Sequence, residues 1–268
     1  LEYACAQYEN NIEKTDYNES EKWLNMLFRP GSSLGGARPK ANVRDTKNNL
    51  WIVKFPSQND KIDMGAWENL AANLAVRCGI NYPEHGAQAF LGKQHSFYVK
   101  RFDRTHNGTR IQMASAMTLL GYSDGDNSDS GVSYLELAEF ITRFGSNPEK
   151  ELPELWRRIA FCVAISNTDD HLRNHAFLLE NKGWRLSPAY DINPNPDGGG
   201  LKLNINGDDN ALDFELVVSV SKYFRINNAE AKDTIKKIKE VVSGWRGEAT
   251  RLGISSFEQD QMSSAFLY

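Results

Sequence analysis

Asp169 and Asn174 stand five positions apart in the run Asn167-Thr168-Asp169-Asp170-His171-Leu172-Arg173-Asn174, directly after an apolar helical stretch. A carboxylate and an amide at this spacing can divide the work of phosphoryl transfer: the Asp takes the proton of an attacking hydroxyl and the Asn oxygen holds a divalent cation. Asp191, in Ser187-Pro188-Ala189-Tyr190-Asp191, follows where a second metal-ligating oxygen is needed. The plainer alternative is a capped helix end running into an acidic turn.

Further upstream, Gly31-Ser32-Ser33-Leu34-Gly35-Gly36-Ala37-Arg38-Pro39-Lys40 is a turn of small residues whose backbone N–H groups can approach phosphate oxygens, although a simple hairpin turn has the same composition. The Walker A pattern is absent. Trp51-Ile52-Val53-Lys54-Phe55 sets a lysine in an apolar β run, where a charge is costly unless it is paired. Glu68, in the helical stretch that follows, can supply one carboxylate and nucleotide phosphates the other anion; the alternative is an edge strand with the Lys54 amine in water. His171 and His175 are four apart, but the β signal after Asn174 argues against the helix face a metal pair needs. Asp169 and Asp170 also suit a metal-dependent hydrolase, which leaves Lys54, Glu68 and the glycine turn unexplained.

Elements to position these residues are visible in the hydrophobic periodicity. Between Ser32 and Phe102 the spacing predicts strands at Ala41–Asp45, Leu50–Phe55, Gly86–Leu91 and Ser96–Phe102, with one helix from Met64 to Cys78 capped by Gly79. Helical spacing then covers Met113–Leu120, Tyr134–Phe144, Leu152–Ser166, Leu212–Tyr223, Ala229–Leu252 with Trp245 buried, and Ser255–Phe266. Ala176–Leu179 and Trp184–Leu186 read as a hairpin about Asn181-Lys182-Gly183, so the Asp169 loop and Asp191 fall at its two outer ends. Gly121–Gly131 and Asn193–Gly200 read as loops.

The chain has 268 residues, 40% of them hydrophobic, enough for one large domain or two lobes with a sizeable core. Its longest apolar run, Ile159–Ile165, is too short to cross a bilayer, and the first thirty residues are unlike a signal peptide, so no membrane or secretory role is expected. Cys5, Cys78 and Cys162 are widely spaced and read as reduced thiols of a cytosolic protein. The net charge of −4 is uneven: −3 over residues 1–30, +6 over residues 31–110 and −7 beyond. A basic segment between acidic ones suits a local polyanion site better than an extended nucleic-acid surface.

Glycine turn, strand lysine, helix glutamate, helical lobe, D-x-x-x-x-N, hairpin and metal aspartate follow one another in the order of a two-lobed kinase. Gly35-Gly36-Ala37-Arg38-Pro39-Lys40-Ala41, Arg101-Phe102-Asp103-Arg104, the Asn167–His175 run and Leu186-Ser187-Pro188-Ala189-Tyr190-Asp191 resemble the HipA-like serine/threonine kinase toxins of bacterial toxin–antitoxin systems. The resemblance runs from about residue 30 to the C-terminus and includes Ser243-Gly244-Trp245-Arg246.

The resemblance implies an α+β kinase-like fold: an acidic segment at 1–30, a small β-rich N-lobe at 31–110 carrying the glycine turn and Lys54, and a larger all-helical C-lobe at 111–268 carrying the catalytic loop. It implies ATP and Mg2+ as cofactors, Asp169 as the catalytic aspartate, and Asn174 and Asp191 as magnesium ligands. Lys54, supported by Glu68, would contact the phosphates, with Gly35, Gly36, Ala37, Arg38 and Lys40 about them. Lys100, Arg101 and Phe102 would form the adenine hinge, and His171 and Tyr190 would line the nucleotide site. Ser33 aligns with the family's autophosphorylated serine, with Ser32 beside it.

The long family members carry an extra N-terminal subdomain of about a hundred residues, so this chain resembles the short, HipT-like form in which a small HipS-like protein supplies that part. The implied partners are a HipB-like DNA-binding antitoxin, which would be the only route to DNA, and a host protein substrate, an aminoacyl-tRNA synthetase, in the bacterial cytoplasm. The sequence leaves two other readings open: a kinase-like binding module acting without catalysis in an antitoxin–DNA complex, and a small-molecule kinase.

Overall fold

The computed structural model describes Glu2, residues 38–105 and residues 107–268. Most of the acidic segment and most of the glycine turn, with Ser32, Ser33, Gly35, Gly36, Ala37 and Cys5, lie outside the described residues. The chain divides into two compact units, one of Leu1–Asn69 and Pro83–Thr109, the other of Leu70–Tyr82 and Arg110–Tyr268. Leu70–Tyr82, inside the stretch read as the N-lobe, thus belongs with the second unit.

In the first unit, β1 (Lys40–Arg44), β2 (Leu50–Lys54), β3 (His85–Gln88) and β4 (Ser96–Lys100) form an antiparallel sheet of order β1-β2-β4-β3. Asp45 builds the β1–β2 turn: its carboxylate accepts from the N–H groups of Lys47 and Asn49, and from Trp51 Nε1, while Asn48 takes positive φ. β2 is therefore central, which removes the edge-strand alternative for Lys54. Ala41 and Phe55, with Val53, pack on one face. β3 stops at Gln88, short of the expected Leu91, because the apolar run continues as Phe90 and Leu91 with both side chains exposed.

α1 (Met64–Arg77) begins where the Asp63 carboxylate accepts from Ala66 N–H and also from His95 N–H, which fixes the helix start to the entry of β4. Gly65 permits this approach, since a β-carbon there would lie 1.9 Å from the His95 carbonyl oxygen. The helix ends as expected on Gly79, at φ 79°.

The second unit is helical but for one sheet, so it is not all-helical. β6 (Ala176–Glu180) and β7 (Gly183–Leu186) form the expected hairpin, joined by β5 (Met113–Ser115). Helical spacing from Met113 missed β5 because Ser115 is an N-cap, accepting from Thr118 N–H. The helix α2 (Ala116–Leu120) starts only after it, leaving three residues to pair with β6. α3 (Tyr134–Phe144) opens on a capping box of Ser133 and Glu136. α4 (Pro148–Ala164) is the central helix: Leu152, Leu155, Trp156, Ile159 and Phe161 are fully buried, and Trp156 Nε1 donates to the Val217 carbonyl at 2.9 Å.

α5 (Phe214–Ser219), α6 (Asn228–Ser243), α7 (Trp245–Arg251) and α8 (Ser256–Gln261) complete the unit. One helix was expected over Ala229–Leu252, and Gly244 divides it in two. Trp245 is buried and stacks on Phe266 at 4.2 Å between ring centroids. Among the described residues no helix is long and apolar enough to cross a membrane.

Candidate active site

In the first unit the feature that matters is a set of charges at the end of β2. Lys54 Nζ lies 2.6 Å from Glu68 Oε1, with both side chains largely buried, and sits 6.0 Å from the centroid of the Phe97 ring. Directly opposite Lys54 in the β1–β2 register is Lys40. Cross-strand partners project on the same face, and two like charges opposed there are destabilising without an anion nearby. Arg38 bonds to Asp60 and to the Phe55 carbonyl.

The expected hinge residues are built differently from one another. Lys100 pairs with Glu84 at 3.2 Å on the surface. The Arg101 guanidinium makes two bonds to the buried Asp103, at 2.8 and 2.6 Å, and one to Asn42 at 2.7 Å, which fixes the segment expected as the hinge to the sheet. Burial pushes the Asp103 carboxyl up, but Arg101 and Arg104 outweigh it and hold it below the usual carboxylate range. Phe102 is half-buried.

In the second unit the loop after α4 carries two adjacent carboxylates in opposite settings. Asp169 is exposed, and among the described residues its carboxylate has no hydrogen-bond partner. Asp170 is buried and accepts from Tyr134 Oη at 2.7 Å and from Cys162 Sγ at 3.6 Å, and it bonds to His175 Nε2 at 3.0 Å. Burial alone would raise the Asp170 carboxyl, yet His175 and the three hydrogen bonds hold it below its ordinary value. Burial pushes the Tyr134 phenol and the Cys162 thiol well up, so both stay protonated as donors. His175 thus belongs to a buried network rather than to a histidine pair with His171.

Asn174 is buried, and its Nδ2 donates to the Asp169 carbonyl at 3.1 Å, which fixes the amide so that Oδ1 is the atom left to act as a ligand. Tyr190 Oη donates to the Arg173 carbonyl at 2.6 Å, joining the segment before Asp191 to the same loop. Asp191 itself takes φ 55°, a left-handed backbone that Asp tolerates better than most residues other than glycine.

Sequence reasoning missed what holds this geometry. Asn193 N–H donates to Asn167 Oδ1, Asn193 Nδ2 to Asp191 Oδ1, and Asn195 Nδ2 to Thr168 Oγ1 at 2.7 Å. Gly198 lies so close that a β-carbon there would meet Thr168 Cγ2 at 2.2 Å. Composition marks the stretch only as a loop; the repeated Asn in Asn193-Pro194-Asn195 is the signal the sequence offers. A cavity of about 220 Å³ opens beside Asp169, walled in part by the Ser123–Asn127 turn.

A strand lysine paired with a helix glutamate, and an Asp-x-x-x-x-Asn loop followed by Asp191, are the parts of a kinase-like fold. The structure is similar to HipA of Shewanella oneidensis, solved in a toxin–antitoxin complex with HipB and operator DNA. That likeness has a TM-score of 0.69 and 19% identity over 90% of this chain and 64% of that one. It is also similar to the Helicobacter pylori proinflammatory kinase CtkA, with a TM-score of 0.63 and 16% identity over 88% of this chain and 90% of that one.

Residues 32–245, more than half of the chain, match the HipA-like C-terminal domain, and the chain belongs to that family. A Haemophilus influenzae protein named as a kinase is 29% identical over 189 residues, 62% of this chain and 54% of that protein. Toxin YjjJ of Escherichia coli is 25% identical over 220 residues, 72% of this chain and 44% of that protein. The chain thus spans about half the length of these relatives.

Proposed function

We propose that the chain is an ATP- and magnesium-dependent serine/threonine protein kinase and the toxin component of a toxin–antitoxin pair. The observation that carries this reading is the division of labour in the catalytic loop: an open Asp169 carboxylate beside an Asn174 amide oriented by the Asp169 carbonyl.

The residues fit the cofactors. Asn174 Oδ1 and the Asp191 carboxylate are hard oxygen donors, and magnesium is commonly held by one or two such groups together with phosphates and water. Among the described residues no cluster of three or more His, Cys, Asp and Glu side chains is arranged as a metal cage, and such a site requires none. The opposed Lys40 and Lys54 give phosphate oxygens two cations on one sheet face, with Lys54 oriented by Glu68. ATP supplies the phosphoryl group and magnesium neutralises its charge. Asp169 accepts the proton of the attacking hydroxyl, and Lys54 stabilises charge on the phosphate oxygens. Phe102, His171 and Tyr190 would line the nucleotide, and the Gly35–Arg38 turn would cover its phosphates.

On this reading Ser33, or Ser32 beside it, is the autophosphorylation site. A phosphate there would put about two negative charges where the nucleotide phosphates bind and switch the kinase off. The host substrate would be a translation protein, an aminoacyl-tRNA synthetase, and restraint would come from a HipB-like antitoxin with or without a HipS-like protein.

The test is mass spectrometry of the phosphatase-treated chain after incubation with Mg-ATP, alone and with host lysate, beside Asp169→Ala. Phosphate on Ser33 or Ser32 and on a lysate protein, both dependent on Asp169, is the expected result. Phosphate that persists in the variant, or none from the parent on itself or any lysate protein, overturns the reading.

A further inference from the structure

We infer that the cavity beside Asp169 is the acceptor site of the kinase, shaped to take one hydroxyl-bearing residue of a protein segment, with the Asp124–Arg173 ion pair setting its wall. The inference rests on the kinase reading above and adds the place and kind of substrate.

Size and contents decide between occupants. At about 220 Å³ the cavity falls below the roughly 300–1,000 Å³ of pockets that enclose cofactors and drug-sized ligands, so it suits a side chain with its flanking backbone rather than a nucleotide. It contains the one carboxylate of the catalytic loop that is open to solvent, Asp169. A general base has to lie within hydrogen-bond reach of the hydroxyl it deprotonates.

The wall is built before any substrate arrives. Ser123 N–H donates to the Asp126 carboxylate at 2.8 Å, closing the turn. Ser128 N–H donates to the Lys202 carbonyl, and Asn210 Nδ2 to both Ser128 Oγ and the Leu201 carbonyl, which pins the turn to the segment beyond Asp191. Across the cavity Asp124 pairs with Arg173 of the catalytic loop. Both side chains of that pair are substantially exposed, and exposed pairs contribute little to stability. Its value lies in aligning the turn with the loop, so breaking it disturbs the site without unfolding the unit.

In the transfer step the acceptor oxygen bonds to the γ-phosphorus of ATP as the bond to the β-bridging oxygen breaks, ADP leaves, and the hydroxyl proton passes to Asp169.

The experiment uses the full chain with Mg-ATP and a degenerate library of peptides centred on Ser or Thr. It compares the parent, Asp124→Lys, and the charge-swapped Asp124→Lys/Arg173→Glu, and measures nucleotide affinity directly for each. Asp124→Lys is expected to raise KM for the library at least tenfold while ATP binds as in the parent, and the swap to recover most of the loss. A parent-like KM in Asp124→Lys, or a swap that recovers nothing while melting like the parent, overturns the acceptor site. A parent that phosphorylates itself but no library peptide also overturns it, because a folded surface would then be required. A parent that transfers no phosphate at all defeats the kinase reading itself, and this inference with it.

Discussion

Lys54 Nζ and Glu68 Oε1 are 2.6 Å apart, with side chains only 12% and 6% exposed, and Lys40 is the cross-strand partner of that same lysine. The pair is thus a largely buried ion pair at the end of a strand whose neighbour places Lys40 at the opposing position.

Removing Lys54 as Lys54→Met takes the ammonium away from the buried Glu68 carboxylate, a loss on the order of 3 kcal/mol. Nucleotide affinity should be lost and the melting temperature of the chain should fall. Glu68→Gln, which keeps a hydrogen bond but not the charge, should weaken Mg-ATP about tenfold, or about 1.4 kcal/mol. Titration calorimetry beside thermal melting separates the two effects, and equal ATP affinity in all three proteins would remove Lys54 from the site.

Asp169 is exposed, so Asp169→Asn should melt with the parent and bind ATP like it. Loss of the general base should lower phosphoryl transfer by at least about 100-fold. A variant that unfolds early would place Asp169 in the structure rather than the chemistry.

Tyr134→Phe removes one of the donors on the buried Asp170 carboxylate at a cost of about 1–3 kcal/mol. Denaturant unfolding should show this as a lower midpoint with unchanged slope. Activity lost in excess of stability would show that the network also orients the neighbouring Asp169.

The Asp103 carboxyl is held below its ordinary value in the folded chain. It therefore contributes stability that is fully present above an unfolded pKa of about 3.9 and is lost as pH falls through the lower folded value. Asp103→Asn should flatten the acid limb of the stability–pH curve below about pH 4 and destabilise the chain at neutral pH. An acid limb identical to the parent's would show that Arg101 and Arg104 do not depress it.

Much of the candidate site's local geometry was legible because its spacing is short. Asp169 and Asn174 share one turn, Lys54 is conspicuous in an apolar strand, and Gly79 marks a helix end. Asp170 was not legible as the core of a network, because two of its donors, Tyr134 and Cys162, lie on α3 and α4 and reach it only through the packing of those helices against the loop. The bonds of Arg101 to Asp103 and Asn42 were not legible either, since Asn42 lies on a different strand, far off in sequence. Periodicity also overran α2 and the α6–α7 pair, since a cap residue or a single glycine ends a helix without breaking the apolar pattern.

Gly198 against Thr168, with Asn193 and Asn195 on the catalytic loop, makes the stretch after Asp191 a fastened part rather than a swinging one. Many kinases gain control by letting that stretch melt and by re-ordering it with a phosphate. Here its anchors are amides and a missing side chain, none of which needs a modifying enzyme to engage. On the reading proposed above, the metal-ligand segment would stand in place without any modification of that stretch.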